Sequence, residues 1–313
     1  MSRAILVTGA TGQQGGAVVD ALLAREPSDF LILGVTRNAK SPAAERLAAK
    51  SPKIKLVEGN LDATPELFKK AKEVAGDVPV WGVFSVQIFI GKGASLASEV
   101  RQGKALVDEA IKNGVQHFVY TSVERGGNER SWNTPTRVPH FRSKHEIELH
   151  LRDSTADGKS NMTWTILRPV TFMENLDIGL PGKVMSSMIR DILGKRPLQW
   201  VATKDIGFFA AEAFHNPETW KGKALGIAGD ELNFDQVDEL VKKATGQPVP
   251  TTYRFVWKLL NLLVSELGIM VEWFRDEGFG VNIAKLRELN PNLTNMETFL
   301  KDSKLAKKVE ETK

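Results

Sequence analysis

Glycines at positions 9, 12 and 15 follow the apolar run Ala4-Ile5-Leu6-Val7 and precede a stretch of helical periodicity. A strand–turn–helix of this kind suits a dinucleotide diphosphate. Gly9 permits a tight turn, Gly12 lets the backbone approach the phosphates, and Gly15 lets the helix lie close to the sheet. The helix N-terminus adds N–H groups without intrahelical acceptors and the positive end of its dipole. Thr11, Gln13 and Gln14 lie in the same turn and join the candidate cofactor-binding residues. Glycine triplets also occur in plain turns, so the flanking strand and helix carry the argument. No Gly-Lys-Ser/Thr follows, which disfavours a P-loop.

The end of the second strand selects the nucleotide. An NAD site places an Asp or Glu about 20 residues on, to accept from the ribose 2′-hydroxyl. Here the chain reads Thr36-Arg37-Asn38-Ala39-Lys40. Arg37 can fork two N–H groups onto a 2′-phosphate and stack on adenine, with Lys40 as a second cation and Thr36 as a hydroxyl. The bland alternative for Arg37 is a solvated loop cation. NADP(H) is therefore the expected cofactor. Asp62, in Gly59-Asn60-Leu61-Asp62, is open between two roles: accepting from the adenine amino group, or capping a helix that begins near Pro65. Val86 and Gln87, after the fourth strand, are expected to run past the adenosine ribose.

Such residues need a scaffold that gathers strand ends at one edge. Short apolar runs predict strands at 4–8, 30–36, 54–58, 80–86, 117–122 and 163–168, and the stretches between them predict helices at 17–24, 43–50, 65–75, 94–113 and 143–153. Continuous apolar strands separated by helices imply an α/β fold, a doubly wound parallel Rossmann sheet, with a smaller mixed C-terminal lobe. Residues 1–169 form the expected nucleotide-binding domain. A helix at 205–215 and a strand near 225–228 make 203–229 a candidate return to it, and 170–313 is the lobe for substrate or partner. The polar, Gly/Pro-containing segment 124–139 reads as a mobile loop. Residues 255–274 read as one amphipathic helix packed in the lobe, because Lys258, Asn261, Ser265 and Glu272 fall along one face. The charged tail 301–313 reads as a solvated end.

Composition narrows the classes further. With 42% hydrophobic residues in 313, the chain can bury a substantial core, and 42 Lys+Arg against 38 Asp+Glu leave only +4, too little for a direct nucleic-acid footprint. The absence of cysteine excludes disulfides, thiolate metal sites and cysteine nucleophiles. The first residues lack signal-peptide shape, so a cytoplasmic protein without a membrane span is expected, with the nucleus as a further location. His117, His145, His150 and His215 lack convincing metal-ligand spacing and are expected to be structural.

Together, Thr8–Gly16, Thr36-Arg37-Asn38, Tyr120-Thr121-Ser122, Val138-Pro139-His140-Phe141-Arg142-Ser143-Lys144 and Arg168-Pro169-Val170-Thr171-Phe172-Met173-Glu174-Asn175-Leu176 resemble NmrA-like proteins, atypical members of the short-chain dehydrogenase/reductase superfamily. The resemblance spans roughly the whole chain and is strongest up to about Leu176. Working members of that superfamily pair a Tyr-x-x-x-Lys with an upstream Ser: the tyrosine moves a proton, the lysine supports it and holds the nicotinamide ribose, and the serine orients substrate. Ser122 matches the serine and Lys144 the lysine, but His140 stands at the tyrosine position. An imidazole is shorter than a phenol and holds its proton less firmly. Two roles stay open for His140: proton donor, or packing beside the ribose.

Phe172, Glu174 and Asn175, just after the sixth strand, are expected near the nicotinamide end, and Pro169 joins the candidate cofactor-binding residues. The resemblance implies either a redox-sensing regulator with a protein partner or an NADPH-dependent reductase of a small carbonyl, imine or alkene. Trp132, Trp200 and Trp273 are read as pocket lining or, more commonly for large aromatics, as core. The oligomeric state is not legible in these residues.

Overall fold

The structure is a computed structural model that describes residues 3–25, 30–91, 93–156, 158–177, 179–263, 265–303 and 305–306. Residues 307–313 of the tail read as a solvated end lie outside the described residues. The strands are β1 (Arg3–Val7), β2 (Phe30–Thr36), β3 (Ile54–Glu58), β4 (Val80–Ser85), β5 (His117–Thr121), β6 (Thr163–Pro169), β7 (Thr171–Phe172), β8 (Leu198–Val201), β9 (Lys223–Ile227) and β10 (Asp230–Leu232). The first six helices are α1 (Gln13–Leu23), α2 (Pro42–Ala48), α3 (Thr64–Ala75), α4 (Leu96–Lys112), α5 (Asn128–Asn133) and α6 (Pro139–Thr155).

The chain forms two compact units. The first contains Met1–Val123, Arg142–Arg168 and Ile206–Leu225. The main sheet has the order β3-β2-β1-β4-β5-β6-β9, and its first six strands pair in parallel. Its central strands are apolar and buried, as a sheet covered on both faces requires. From β1 the chain runs outward to β2 and β3, then returns to β4 on the other side of β1. That reversal opens a crevice at the carboxyl ends of β1 and β4, the usual ligand position in open α/β sheets. Thr8 ties its two sides together: its hydroxyl donates to the Val86 carbonyl (3.1 Å) and accepts from the Val86 N–H (2.8 Å). Two helices begin earlier than sequence periodicity suggests, α1 at Gln13 and α6 at Pro139. Gly12 and Pro139 lack the apolar signal but suit helix starts, Pro because its missing N–H needs no acceptor there.

The second unit contains Glu124–Phe141, Pro169–Asp205 and Gly226–Lys313. In its small sheet β8 lies between β7, parallel to it, and β10, antiparallel. The stretch 255–274 is helical on both sides of Val264, over Arg254–Leu263 and Ser265–Asp276, and Val264 itself lies outside the described residues. Each stretch packs part of its length against the Leu180–Met188 helix. Trp273 is fully buried against Phe141 (5.1 Å) and Phe279 (5.5 Å), and Trp200 donates its indole N–H to the Leu232 carbonyl, so both are core. The segment 124–139, read as a loop, contains α5. Glu124 is buried and accepts N–H bonds from Gly126, Gly127 and Gly280, and α5 follows. Its polar composition conceals a carboxylate that replaces solvent as the backbone's partner. Among the described residues no helix is long and apolar enough to cross a membrane.

Two buried ionisable groups give opposed pH dependences. On β5 the ring of His117 lies between the Thr163 and Thr165 hydroxyls (2.8 and 3.1 Å), and burial pushes its pKa from 6.5 down to about 4. Asp205 accepts from the Thr294 N–H and hydroxyl (both 3.1 Å), yet burial raises its pKa from 3.8 to about 6. Between these values the unfolded chain protonates His117 while the native state does not, so stability falls as pH drops. For Asp205 the native state keeps a proton the unfolded chain has released, so stability falls as pH rises. Each contribution is about 3 kcal/mol, and they oppose one another. Asp205→Asn should unmask the histidine: from pH 7 to pH 4 its unfolding free energy should drop by about 3 kcal/mol more than that of the wild type. Parallel urea-unfolding profiles for the two proteins would refute this.

Candidate functional site

A cleft of about 390 Å³ opens at the sheet reversal of the first unit, lined by Thr8, Gly9, Thr11, Gly12, Thr36, Arg37, Asp62, Val86 and Gln87 together with Asn60 and Gln102. Gly9 has φ +58°, and a Cβ there would stand 2.7 Å from Val86 Cγ1. A Cβ on Gly15 would fall 2.3 Å from the Gly9 carbonyl oxygen, so α1 can pass the turn only with glycine there. Gly12 caps α1 without a side chain, leaving the first N–H groups of the helix for a ligand. The Gln14 carboxamide is turned elsewhere: its Oε1 accepts from the Thr121 hydroxyl (2.6 Å) at the end of β5.

Arg37 is exposed at the rim of the cleft, on a loop tightened by Thr36 Oγ1, which accepts from the Asn38 N–H (3.3 Å), and by Asn38 Oδ1, which accepts from the Lys40 N–H (2.9 Å). Lys40 shares that loop but does not line the cleft. Asp62 does not act as the cap of α3. Its carboxylate accepts from Arg101 Nη2 (2.6 Å) and Gln102 Nε2 (3.0 Å) on α4, while the N-cap of α3 is Ala63, which makes no side-chain bond. These donors, Gln102 first, hold its pKa below the usual carboxylate value. The pairing spans about 40 residues of sequence, and for that reason no local pattern announces it. Gln87 is 4% exposed; its Nε2 donates to Ser85 Oγ (2.8 Å), and its Oε1 is buried with no hydrogen-bond partner. A glycine cradle that any Cβ would fill, together with an orphaned acceptor in the cleft wall, fits a dinucleotide with ribose hydroxyls to donate.

The remaining first-unit candidates lie at β5 and on α6. Ser122 is buried, and its N–H donates to the Leu167 carbonyl (2.7 Å). The Lys144 ammonium donates to Glu99 Oε1 (2.7 Å), and the Ser143 hydroxyl donates to the other oxygen of the same fully buried carboxylate. Glu99 lies within the apolar periodicity of α4, and nothing in the sequence marks it. Beneath this pair, Arg168 and Glu148 are both fully buried and joined by two bonds, Nε to Oε1 (3.1 Å) and Nη2 to Oε2 (2.7 Å), which fasten α6 to β6.

In the second unit, His140 is 7% exposed. Its Nδ1 lies 2.8 Å from Glu266 Oε1, and its backbone N–H donates to the same oxygen (3.1 Å). The bond from His140 holds the Glu266 carboxyl below its usual pKa. The ring nitrogen of His140 and the ammonium of Lys144 thus each meet a different carboxylate. Pro169 ends β6, Phe172 ends β7, and Asn175 is half-buried in the short 3-10 helix Met173–Asp177.

A model of the NmrA-like family matches residues 1–300. One relative, an NmrA-like family domain-containing oxidoreductase of Aspergillus hancockii, is 27% identical over 262 residues, covering 79% of this chain and 73% of its own. Two solved structures are similar in fold. A Citrobacter sp. triphenylmethane reductase complexed with NADP(H) has a TM-score of 0.69 at 18% identity, covering 99% of this chain and 100% of its own. NmrA, a negative transcriptional regulator solved in complex with NADP, has a TM-score of 0.67 at 17% identity, covering 99% and 98%.

Proposed function

The chain belongs to the NmrA-like family, and we propose that it binds NADP(H) in the cleft of its first unit and acts as a redox-sensing regulator. The observation that carries this reading is a complete nucleotide cradle in a chain whose tyrosine position holds His140. The α1 N-terminus would hold the diphosphate, Arg37 the 2′-phosphate, and Gln87 Oε1 would accept from a ribose hydroxyl. Bound NADPH supplies a hydride. Lys144 keeps donors beyond the one given to Glu99 and could reach a ribose hydroxyl. The NADP complexes of the two solved relatives support the choice of cofactor, and the regulator among them supports the role. A sensor must bind the oxidised and reduced cofactor with different affinity, since equal affinity shifts no equilibrium. Its output would pass to a regulatory protein partner.

One observation favours a second reading, an NADPH-dependent reductase of a small carbonyl, imine or alkene. Glu266 bonded to Nδ1 orients the His140 imidazole as a proton-handling group would require. The named activities of the Citrobacter and Aspergillus relatives support it too.

Arg37→Ala tests the shared premise. Loss of charge-assisted bonds to the 2′-phosphate should weaken NADPH about 10–100-fold and leave NADH within about threefold. Fluorescence titration checks it, and equal losses for both nucleotides would defeat the assignment. NADPH oxidation against a panel of carbonyls, imines and alkenes separates the two readings. Turnover that His140→Ala abolishes replaces the regulator with the reductase.

A further inference from the structure

The sequence places no carboxylate at the end of β2, but the structure brings one there from β3. Glu58 is the register partner of Thr36, the last residue of β2. Its Oε2 accepts from the Ala39 N–H (2.9 Å), reaching across the loop that carries Arg37 and Lys40. Glu58 and Arg37 also share the wall of a second hollow of about 380 Å³, and Arg37 lines the nucleotide cleft as well. The other side-chain bonds that shape this loop, from Thr36 and Asn38, come from within it. Among the described residues Glu58 is therefore the side chain of another strand that ties this loop, and it puts a negative charge beside the segment that carries Arg37.

We propose that Glu58 sets the NADP(H)-to-NAD(H) preference of the cleft, an inference that rests on the NADP(H) reading above. A carboxylate at this edge accepts from a ribose 2′-hydroxyl, as the second-strand acid of NAD sites does. The same charge repels a 2′-phosphate and competes with it for Arg37. Through Ala39 the side chain also positions the loop on which Arg37 rides. The protein consequently binds both nucleotides, with a preference for NADPH that Glu58 limits.

Two substitutions separate charge from positioning. Glu58→Gln keeps an oxygen for the Ala39 N–H and removes the charge, whereas Glu58→Ala removes both. Calorimetric titration with NADPH and with NADH should show the glutamine variant raising the ratio of NADPH to NADH affinity about 5–10-fold. The alanine variant, with its loop untied, should bind NADPH more weakly than the glutamine variant while unfolding at the same urea concentration as wild type. A ratio in Glu58→Gln within twofold of wild type, or lower, overturns the inference, as does wild-type protein that binds NADPH but no NADH at millimolar concentration. Wild-type protein that binds neither nucleotide brings down the NADP(H) reading itself and this inference with it.

Discussion

Gly15→Ala should lose NADPH binding by at least about 100-fold and cost about 1–3 kcal/mol of stability, the range for overpacking a close contact. The added Cβ meets only backbone: Gly9 O at 2.3 Å, Gly9 C at 2.5 Å and Thr8 O at 2.7 Å. No side chain can swing aside, so either α1 moves off the sheet or the turn deforms, and both displace the N–H groups meant for the diphosphate. Gly16→Ala is the matched control. It adds the same methyl one residue later, where the nearest atom is 3.6 Å away, so the protein should fold and bind as wild type does. Calorimetric titration with urea unfolding reads both quantities. Wild-type affinity in Gly15→Ala would show that the turn is not a phosphate cradle.

Glu148→Ala should lower the unfolding free energy by about 3–5 kcal/mol, because it removes the carboxylate that meets the fully buried Arg168 guanidinium at two atoms. Removing both charges is different. Arg168→Met combined with Glu148→Leu should recover most of that loss, since a buried ion pair is stabilising mainly relative to its broken halves. Denaturant unfolding of the single and double variants reads the contrast. A single-variant loss below about 1 kcal/mol would mean that water or another group reaches Arg168. Because Glu148 lies one helical turn beyond Lys144 on α6, a loosened pair should also weaken the seating of Lys144 on Glu99.

The cleft and the two carboxylate pairs bear differently on function. Gly9, Gly12 and Gly15 act through backbone geometry, so a different side chain at any of them changes what the turn can accept. His140 and Lys144 are each held by a carboxylate partner. Glu266 orients one and Glu99 anchors the other, and a substitution at either acid should alter its partner's behaviour without touching a ligand. Glu99 and Glu266 therefore belong in any mutational survey of the regulator and reductase readings.

What could be read along the chain was whatever short-range chemistry imposes. A β-branched run followed by glycines at 9, 12 and 15 must turn tightly into a helix, and apolar runs that alternate with helices must make a parallel sheet. The cation at Arg37 and the histidine at the tyrosine position are visible for the same reason, because each is a matter of residue type at a fixed local spacing. Only the folded chain decided that Asp62 bonds to α4, that Glu58 crosses to the loop after β2, that Lys144 meets Glu99 and that His140 meets Glu266. Nor did local pattern reveal that Glu124 anchors a segment composed like a loop. These pairings join residues up to 156 positions apart. A charged side chain carries no mark of its distant partner, because the partner is selected by which packed faces meet once apolar burial has brought the elements together.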